Sequence, residues 1–279
     1  MKFGLIGHPI GHSLSPALFK AGYAGRYPYD LIETPDFEKA YKIFLNEYDG
    51  INVTAPFKEL ALKKADIVSE ECSLVGATNL LIKTPEGVKA HNSDYLGVRE
   101  WLSGVVAGLE RTPVAPFGAL LPPAARGVAR FLPPGPPRTA RVLVVGLGGA
   151  GKAAKAAAES LGMETVLMNR TQYSNEIKPL SQFKEEFRKA DIMIYNLPIR
   201  IAELDSLTDE DLCTEKPKHI LEANYRNPSF DNSLIQRMKE LNPDMTYTEG
   251  RTWLLLQALT GYEIFTGEKP DLTKMTACL

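Results

Sequence analysis

Short apolar runs alternate along the chain with stretches whose apolar positions recur every three or four residues, the signatures of buried strands and of helices lying on a sheet. Lys2–Ile6 predicts a strand, Pro16–Gly25 a helix, Tyr29–Glu33 a strand and Asp36–Glu47 an amphipathic helix. Gly50–Val53 follows as a strand and Pro56–Ala65 as a helix. Thr78–Lys83 and Val88–Ala90 form a hairpin about Pro85-Glu86-Gly87, and Asp94 opens a helix through Trp101. The second half predicts strands at Arg141–Val145, Thr165–Met168, Asp191–Tyr195, Lys218–Ala223 and Met245–Thr248, with helical stretches between them. Strands separated by crossover helices imply an α/β protein with parallel sheets covered on both faces.

One segment breaks the alternation. Between Gly104 and Arg138, Pro113, Pro116, Pro122-Pro123, Pro133-Pro134 and Pro136-Pro137 deny the chain a long helix or a central strand. Eight of the twenty prolines fall there. A structureless loop of that length is unusual inside a compact domain, so the segment is expected between domains or outside one.

A length of 279 residues suits two domains of ordinary size. The 44% hydrophobic and 24% charged fractions exclude wholesale disorder. Lys plus Arg is 32 and Asp plus Glu 34, so the net charge of −2 gives no electrostatic case for nucleic acid or a membrane surface as partner. Cys72, Cys213 and Cys278 are too few and too scattered for a disulfide framework or a zinc site. With no bilayer-length apolar run and no signal-peptide core, a cytoplasmic protein with reduced thiols and no metal is expected.

The strand Arg141–Val145 runs into Gly146-Leu147-Gly148-Gly149-Ala150-Gly151 and then an alanine-rich helix ended by Gly162. In this G-x-G-x-x-G turn the first glycine makes the tight bend. The second lets backbone approach a pyrophosphate, and the third lets helix pack on strand. The helix N-terminus adds free N–H groups for the phosphates. A site for NAD wants a carboxylate about 20 residues on, for the ribose hydroxyl. Here the next strand ends in Asn169-Arg170-Thr171, and a guanidinium suits the 2′-phosphate of NADP.

The residues before this nucleotide domain carry polar groups at strand–helix junctions, where ligands of open α/β sheets bind. These are Ser13-Leu14-Ser15-Pro16, Asn52-Val53-Thr54-Ala55-Pro56-Phe57-Lys58, Gly76-Ala77-Thr78-Asn79 and Asn92-Ser93-Asp94. Each has a plainer reading as a helix cap, a turn or a solvated residue. Together they assemble hydroxyls, amides, one lysine and one carboxylate, which suits a small polyhydroxylated acid.

In these motifs the chain resembles the shikimate dehydrogenase family. Ser13-x-Ser15 is similar to its substrate loop, Asn52–Lys58 to its N-V-T-x-P-x-K signature, and Gly76–Asn79 and Asn92–Gly97 to its G-A-x-N and N-T-D-x-x-G motifs. Asn169-Arg170-Thr171 is similar to its NADP-selecting N-R-T, and Gly250–Gln257 with Phe265-Thr266-Gly267 to its closing helix region. The resemblance implies a two-lobed fold: a substrate domain over residues 1–103, completed by 250–279, a proline-rich insertion over 104–138, and a Rossmann NADP-binding domain with a parallel sheet over 139–249. It implies reversible, NADPH-dependent reduction of 3-dehydroshikimate to shikimate, a step toward chorismate and the aromatic amino acids. Lys58 and Asp94 are the implied catalytic pair. Ser13, Ser15, Thr54, Asn79, Gln257 and Tyr225 are implied to hold the substrate, and Gly146, Gly148, Gly149, Ala150, Gly151, Asn169, Arg170 and Thr171 the cofactor. A monomer or homodimer is expected.

Three departures stand out. Thr252 and Trp253 lie where the family commonly has Gly and Met, Tyr225-Arg226-Asn227-Pro228 is one residue longer than the family's Y-N-P turn, and Ser93 replaces a threonine. A dual quinate/shikimate dehydrogenase is a neighbouring reading, and a non-catalytic ligand sensor on the same fold a more distant one. The Lys58 and Asp94 pair argues against the sensor.

Overall fold

A computed structural model describes residues 1–110, 139–213 and 216–279. It divides into two compact units, Met1–Gly97 with Leu255–Leu279, and Val98–Leu254.

In chain order the first unit begins with β1 (Phe3–Gly7), α1 (Ser15–Gly22), β2 (Tyr29–Glu33), α2 (Phe37–Glu47), β3 (Gly50–Val53) and α3 (Lys58–Leu62). It continues with β4 (Ile67–Val68), α4 (Glu70–Val75), β5 (Leu80–Thr84), β6 (Gly87–His91) and the start of α5 (Ser93–Glu110). The sheet order is β2-β1-β3-β5-β6-β4. This sheet is mixed, not parallel throughout: β5 runs antiparallel to both β3 and β6, because a tight hairpin about Glu86 reverses the chain where a crossover helix would have kept its direction. Asp36 caps α2 by accepting the Lys39 N–H at 3.1 Å, and the Phe37, Ala40, Tyr41 and Phe44 stripe of that helix is buried with Ile6, Ile51, Val53 and Leu81.

The sequence expectation ended α5 at Trp101, whereas the helix continues to Glu110. The first proline is Pro113, so nothing in Gly104–Glu110 breaks the helix. The remainder of the proline-rich segment, residues 111–138, lies outside the described residues.

The second unit holds β7 (Arg141–Val145), α6 (Gly149–Ser160), β8 (Glu164–Met168), β9 (Ile177–Lys178), α7 (Phe183–Lys189), β10 (Ile192–Tyr195), α8 (Ala202–Asp205) and α9 (Asp209–Leu212). β11 (His219–Glu222), α10 (Asn232–Leu241), β12 (Thr246–Thr248) and the head of α11 (Gly250–Thr266) follow, and α12 (Leu272–Thr276) ends the chain in the first unit. The sheet order is β12-β11-β10-β7-β8-β9, with every pairing parallel. Taken from the other edge in sequence order, this is the 3-2-1-4-5-6 arrangement of the Rossmann fold. Sequence periodicity missed β4 and β9, because a two-residue strand has no period to read.

All three cysteines are free thiols, and burial raises Cys72 to about 11. Among the described residues no helix is long and apolar enough to cross a membrane.

His219 opens β11 opposite Thr246 of β12 and shares a 2.8 Å hydrogen bond with its hydroxyl. Burial lowers its pKa from 6.5 to about 4, with Asp191 opposing weakly. The folded protein therefore holds His219 neutral where the unfolded chain is protonated. That contribution is complete above pH 6.5 and is lost as pH falls toward 4. Unfolding free energy should fall by about 3 kcal/mol more over this range in the wild type than in His219→Gln, measured by urea denaturation at a series of pH values.

Candidate active site

Sheet direction gathers the polar junctions of the first unit. β1, β3 and β6 run the same way and β5 runs against them, so the carboxyl ends of the first three and the amino end of β5 share one edge. Ser13 and Ser15 follow β1, Thr54 and Lys58 follow β3, Asn79 precedes β5, and Asp94 follows β6.

Lys58 opens α3 and Asp94 lies in the first turn of α5. β3 and β6 are two strand spacings apart, roughly 10 Å. The lysine side chain spans that gap, and its Nζ donates to Asp94 Oδ2 at 2.5 Å. Both side chains keep partial exposure, 21% and 17%, so the pair can be reached by a ligand.

Asp94 is available for this contact because it is not the helix cap. Asn92 fills that role instead, with its Oδ1 accepting the Tyr95 N–H at 3.0 Å and its Nδ2 donating to Ala77 O at 2.9 Å. Below it, Glu71 accepts from the His91 ring at 2.8 Å. Burial pushes Glu71 up, but the bonds from His91 and Ser69 outweigh it and lower its pKa to about 2.

Asn79 is buried. Its Oδ1 accepts the Ser93 N–H at 2.7 Å and its Nδ2 donates to Ser93 Oγ at 3.0 Å. Ser93 Oγ in turn reaches Gln257 Oε1 of α11 at 3.0 Å. Asn52 donates to Asn79 O at 3.2 Å and accepts from the half-buried Tyr29 hydroxyl at 2.8 Å. In the serine loop, Ser13 Oγ accepts the Ser15 N–H at 3.2 Å, and the Tyr262 hydroxyl donates to Ser15 O at 3.1 Å. Burial raises the pKa of both tyrosines and keeps them neutral donors. Sequence reasoning did not single out Tyr29, Glu71 or His91, which lie outside its motifs. Asn52 stood inside a quoted motif, and its position was the available signal.

The second unit presents the glycine turn at the carboxyl end of β7, beside β10, where the strand order reverses and ligands of such sheets bind. Gly146 has φ +90°, closed to most side chains. A Cβ on Gly151 would lie 1.9 Å from Gly146 O, so only glycine lets α6 start so close to the turn. Nothing lies within 4 Å of a Cβ built on Gly148, leaving open space above the backbone. No side chain caps α6, so the N–H groups of Gly149, Ala150 and Gly151 have no capping side chain, an arrangement that favours an anion. Asn169 is tied inward, its Oδ1 accepting the Leu147 N–H at 3.4 Å and its Nδ2 donating to Thr171 O at 3.0 Å. Arg170 is exposed and makes no ion pair among the described residues. These features fit a phosphate-bearing dinucleotide.

Tyr225 belongs to this unit. It lies half-buried after β11 in a loop that Asn224 Oδ1 ties by accepting the Arg226 and Asn227 N–H groups, both at 3.2 Å. Trp253 is buried in the same unit.

A Rossmann-type unit with a glycine turn and an α/β unit carrying a lysine–carboxylate pair define the general class, a two-unit α/β protein. Comparison with known proteins narrows it. Residues 5–81 match the family model for the shikimate dehydrogenase substrate binding domain. The shikimate dehydrogenase (NADP(+)) of Dinoroseobacter shibae is 30% identical over 292 residues, covering 97% of this chain and 93% of that protein. The pentafunctional AROM polypeptide of Candida tropicalis is 29% identical over 251 residues, 86% of this chain, but the chain spans only 13% of that polypeptide's length. The crystal structure of shikimate 5-dehydrogenase from Thermus thermophilus in complex with NADP(H) and shikimate shares the fold, with a TM-score of 0.73, 24% identity and coverage of 100% of this chain and 98% of that one. The chain belongs to the shikimate dehydrogenase family.

Gly151→Ala should lower Tm by several degrees through the clash with Gly146 O, whereas Gly148→Ala, with open space, should melt within about 2 °C of the wild type. Differential scanning calorimetry of the two variants checks this.

Proposed function

We propose that this chain is an NADP-dependent shikimate dehydrogenase, an oxidoreductase acting on a CH–OH group, which reversibly reduces 3-dehydroshikimate to shikimate on the way to chorismate and the aromatic amino acids. The observation that carries the reading is the Lys58–Asp94 pair at 2.5 Å, at a sheet edge ringed with hydroxyl and amide groups. The name of the D. shibae relative supports both the reaction and the cofactor, and that of the Candida polypeptide supports the biosynthetic setting.

Reduced nicotinamide, when bound, supplies the hydride. The protein's part is charge and proton. As a ring ketone gains hydride its oxygen becomes an alkoxide, which the Lys58 ammonium stabilises and protonates. Asp94 holds that ammonium in place and balances its charge. In the reverse direction neutral Lys58 takes the hydroxyl proton as hydride leaves. Ser13, Ser15, Thr54, Asn79 and Gln257 hold the acid's hydroxyls and carboxylate, with Tyr225 a further substrate contact. Gly146, Gly148, Gly149, Ala150 and Gly151 cradle the pyrophosphate. Asn169 and Thr171 shape the turn from which Arg170 meets the 2′-phosphate. A cytoplasmic monomer or homodimer completes the reading.

Purified protein with shikimate or quinate and NADP or NAD, followed by nicotinamide absorbance, tests it. Shikimate with NADP should be the best pair. Quinate at equal kcat/KM would indicate dual specificity, and no reduction of either cofactor by either acid would sink the proposal. Lys58→Ala should lower kcat at least ~100-fold with little change in KM. A rise in KM alone would make Lys58 only a binding group. Arg170→Ala should raise KM for NADP roughly 10- to 100-fold and leave NAD unaffected, since a charged phosphate contact is lost in one case only. Equal losses would refute the role of Arg170.

A further inference from the structure

Ser93 is fully buried, and its hydroxyl stands between the Asn79 and Gln257 amides, two residues assigned above to the substrate. The directions of these bonds are set by chemistry. A backbone N–H can only donate, so the 2.7 Å contact from Ser93 N fixes the Asn79 oxygen as acceptor and turns the Asn79 NH2 toward Ser93 Oγ. With that lone pair occupied, the hydroxyl hydrogen has two acceptors within reach. Gln257 Oε1 lies at 3.0 Å. Asn79 Oδ1 lies at 3.3 Å and already takes the backbone N–H. The shorter contact wins. An inverted Gln257 amide would force the hydroxyl onto the longer one.

The spacing is built into the backbone. A Cβ on Gly261, one turn beyond Gln257 on α11, would lie 3.1 Å from Ser93 Oγ, and one on Gly97 would lie 2.7 Å from Gln257 N. Glycine at both places brings α11 near enough for the serine bond to form. In a water-excluded setting such a chain of hydrogen bonds is strengthened, because no solvent competes for the serine hydroxyl.

We propose that Ser93 is a positioning residue that fixes the polarity of the Gln257 amide, so that Gln257 acts on a ligand as a hydrogen-bond donor and selects an acceptor, a hydroxyl or carboxylate oxygen of the bound acid. The kinetic part of this proposal rests on the shikimate dehydrogenase reading. The orientation of the amide does not.

Two readouts separate them. In 15N-labelled wild-type protein without ligand, the Gln257 side-chain NH2 signal, assigned by its loss in Gln257→Ala, should be a sharp pair in slow exchange with water. Ser93→Ala should broaden it and speed its exchange, and Ser93→Thr should preserve it. An unchanged signal in Ser93→Ala overturns the proposal whatever the activity. In turnover, Ser93→Ala should raise KM for the acid roughly 3- to 10-fold, the loss of one neutral hydrogen bond, with kcat and KM for NADP within about twofold and restoration by Ser93→Thr. Parallel loss in kcat and both KM values with a lowered Tm would mean a merely structural serine and would also overturn it. Should the alanine variant fail to fold, Ser93→Cys keeps the volume with a weaker donor and should show the same broadening in smaller degree. Wild-type protein inactive on every acid refutes the functional reading alone, and the NMR signal then decides the relay.

Discussion

Lys58 and Asp94 meet at 2.5 Å although their helices begin two strands apart, and that contact depends on both junctions being held still. An ion pair with partial solvent access contributes little on its own, since screening and side-chain entropy offset most of the attraction. The frame around it supplies the precision. Asn92 takes over the cap of α5, Glu71 and His91 brace the end of β6, and Asn79 binds Ser93 from the neighbouring strand. The carboxylate is thereby presented by a backbone whose own polar groups are already satisfied. This is how an ion pair is kept in geometry by residues outside it.

The second unit solves a different problem with different means. A tight turn from strand into helix calls for absent side chains. The turn after β7 therefore relies on glycine where the first unit relies on amides. The two tolerate change differently: a lost amide leaves a buried partner unsatisfied, whereas an added methyl at Gly151 meets backbone that cannot yield.

Much of this was legible in the residues. The strands Tyr29–Glu33, Gly50–Val53 and Arg141–Val145 are read with their observed limits, because alternating or continuous apolar runs end there at sharp turn signals. The glycine loop and the polar junctions were equally plain, since their spacing carries their chemistry. The two-residue strands β4 and β9 were not, and neither was the extension of α5 to Glu110, where the prolines downstream overshadowed a helix-compatible run. The partnership of Glu71 with His91, or of Ser93 with Gln257 across 164 positions, is a product of sheet order and helix packing that no local pattern encodes.

The first unit is discontinuous in sequence, and this bears on how it is made. Phe3 of β1 stacks on Phe265 at 4.9 Å, the Tyr23 hydroxyl donates to Tyr262 O at 2.8 Å, and Ser93 waits for Gln257. During vectorial synthesis on the ribosome, each of these early residues emerges long before its partner exists. The Rossmann unit, Val98–Leu254, is encoded entirely between the two halves and can close its sheet first. The nascent N-terminal half must therefore persist with an aromatic flank uncovered until Gln257 to Phe265 have been made, and its polar junctions are completed only then.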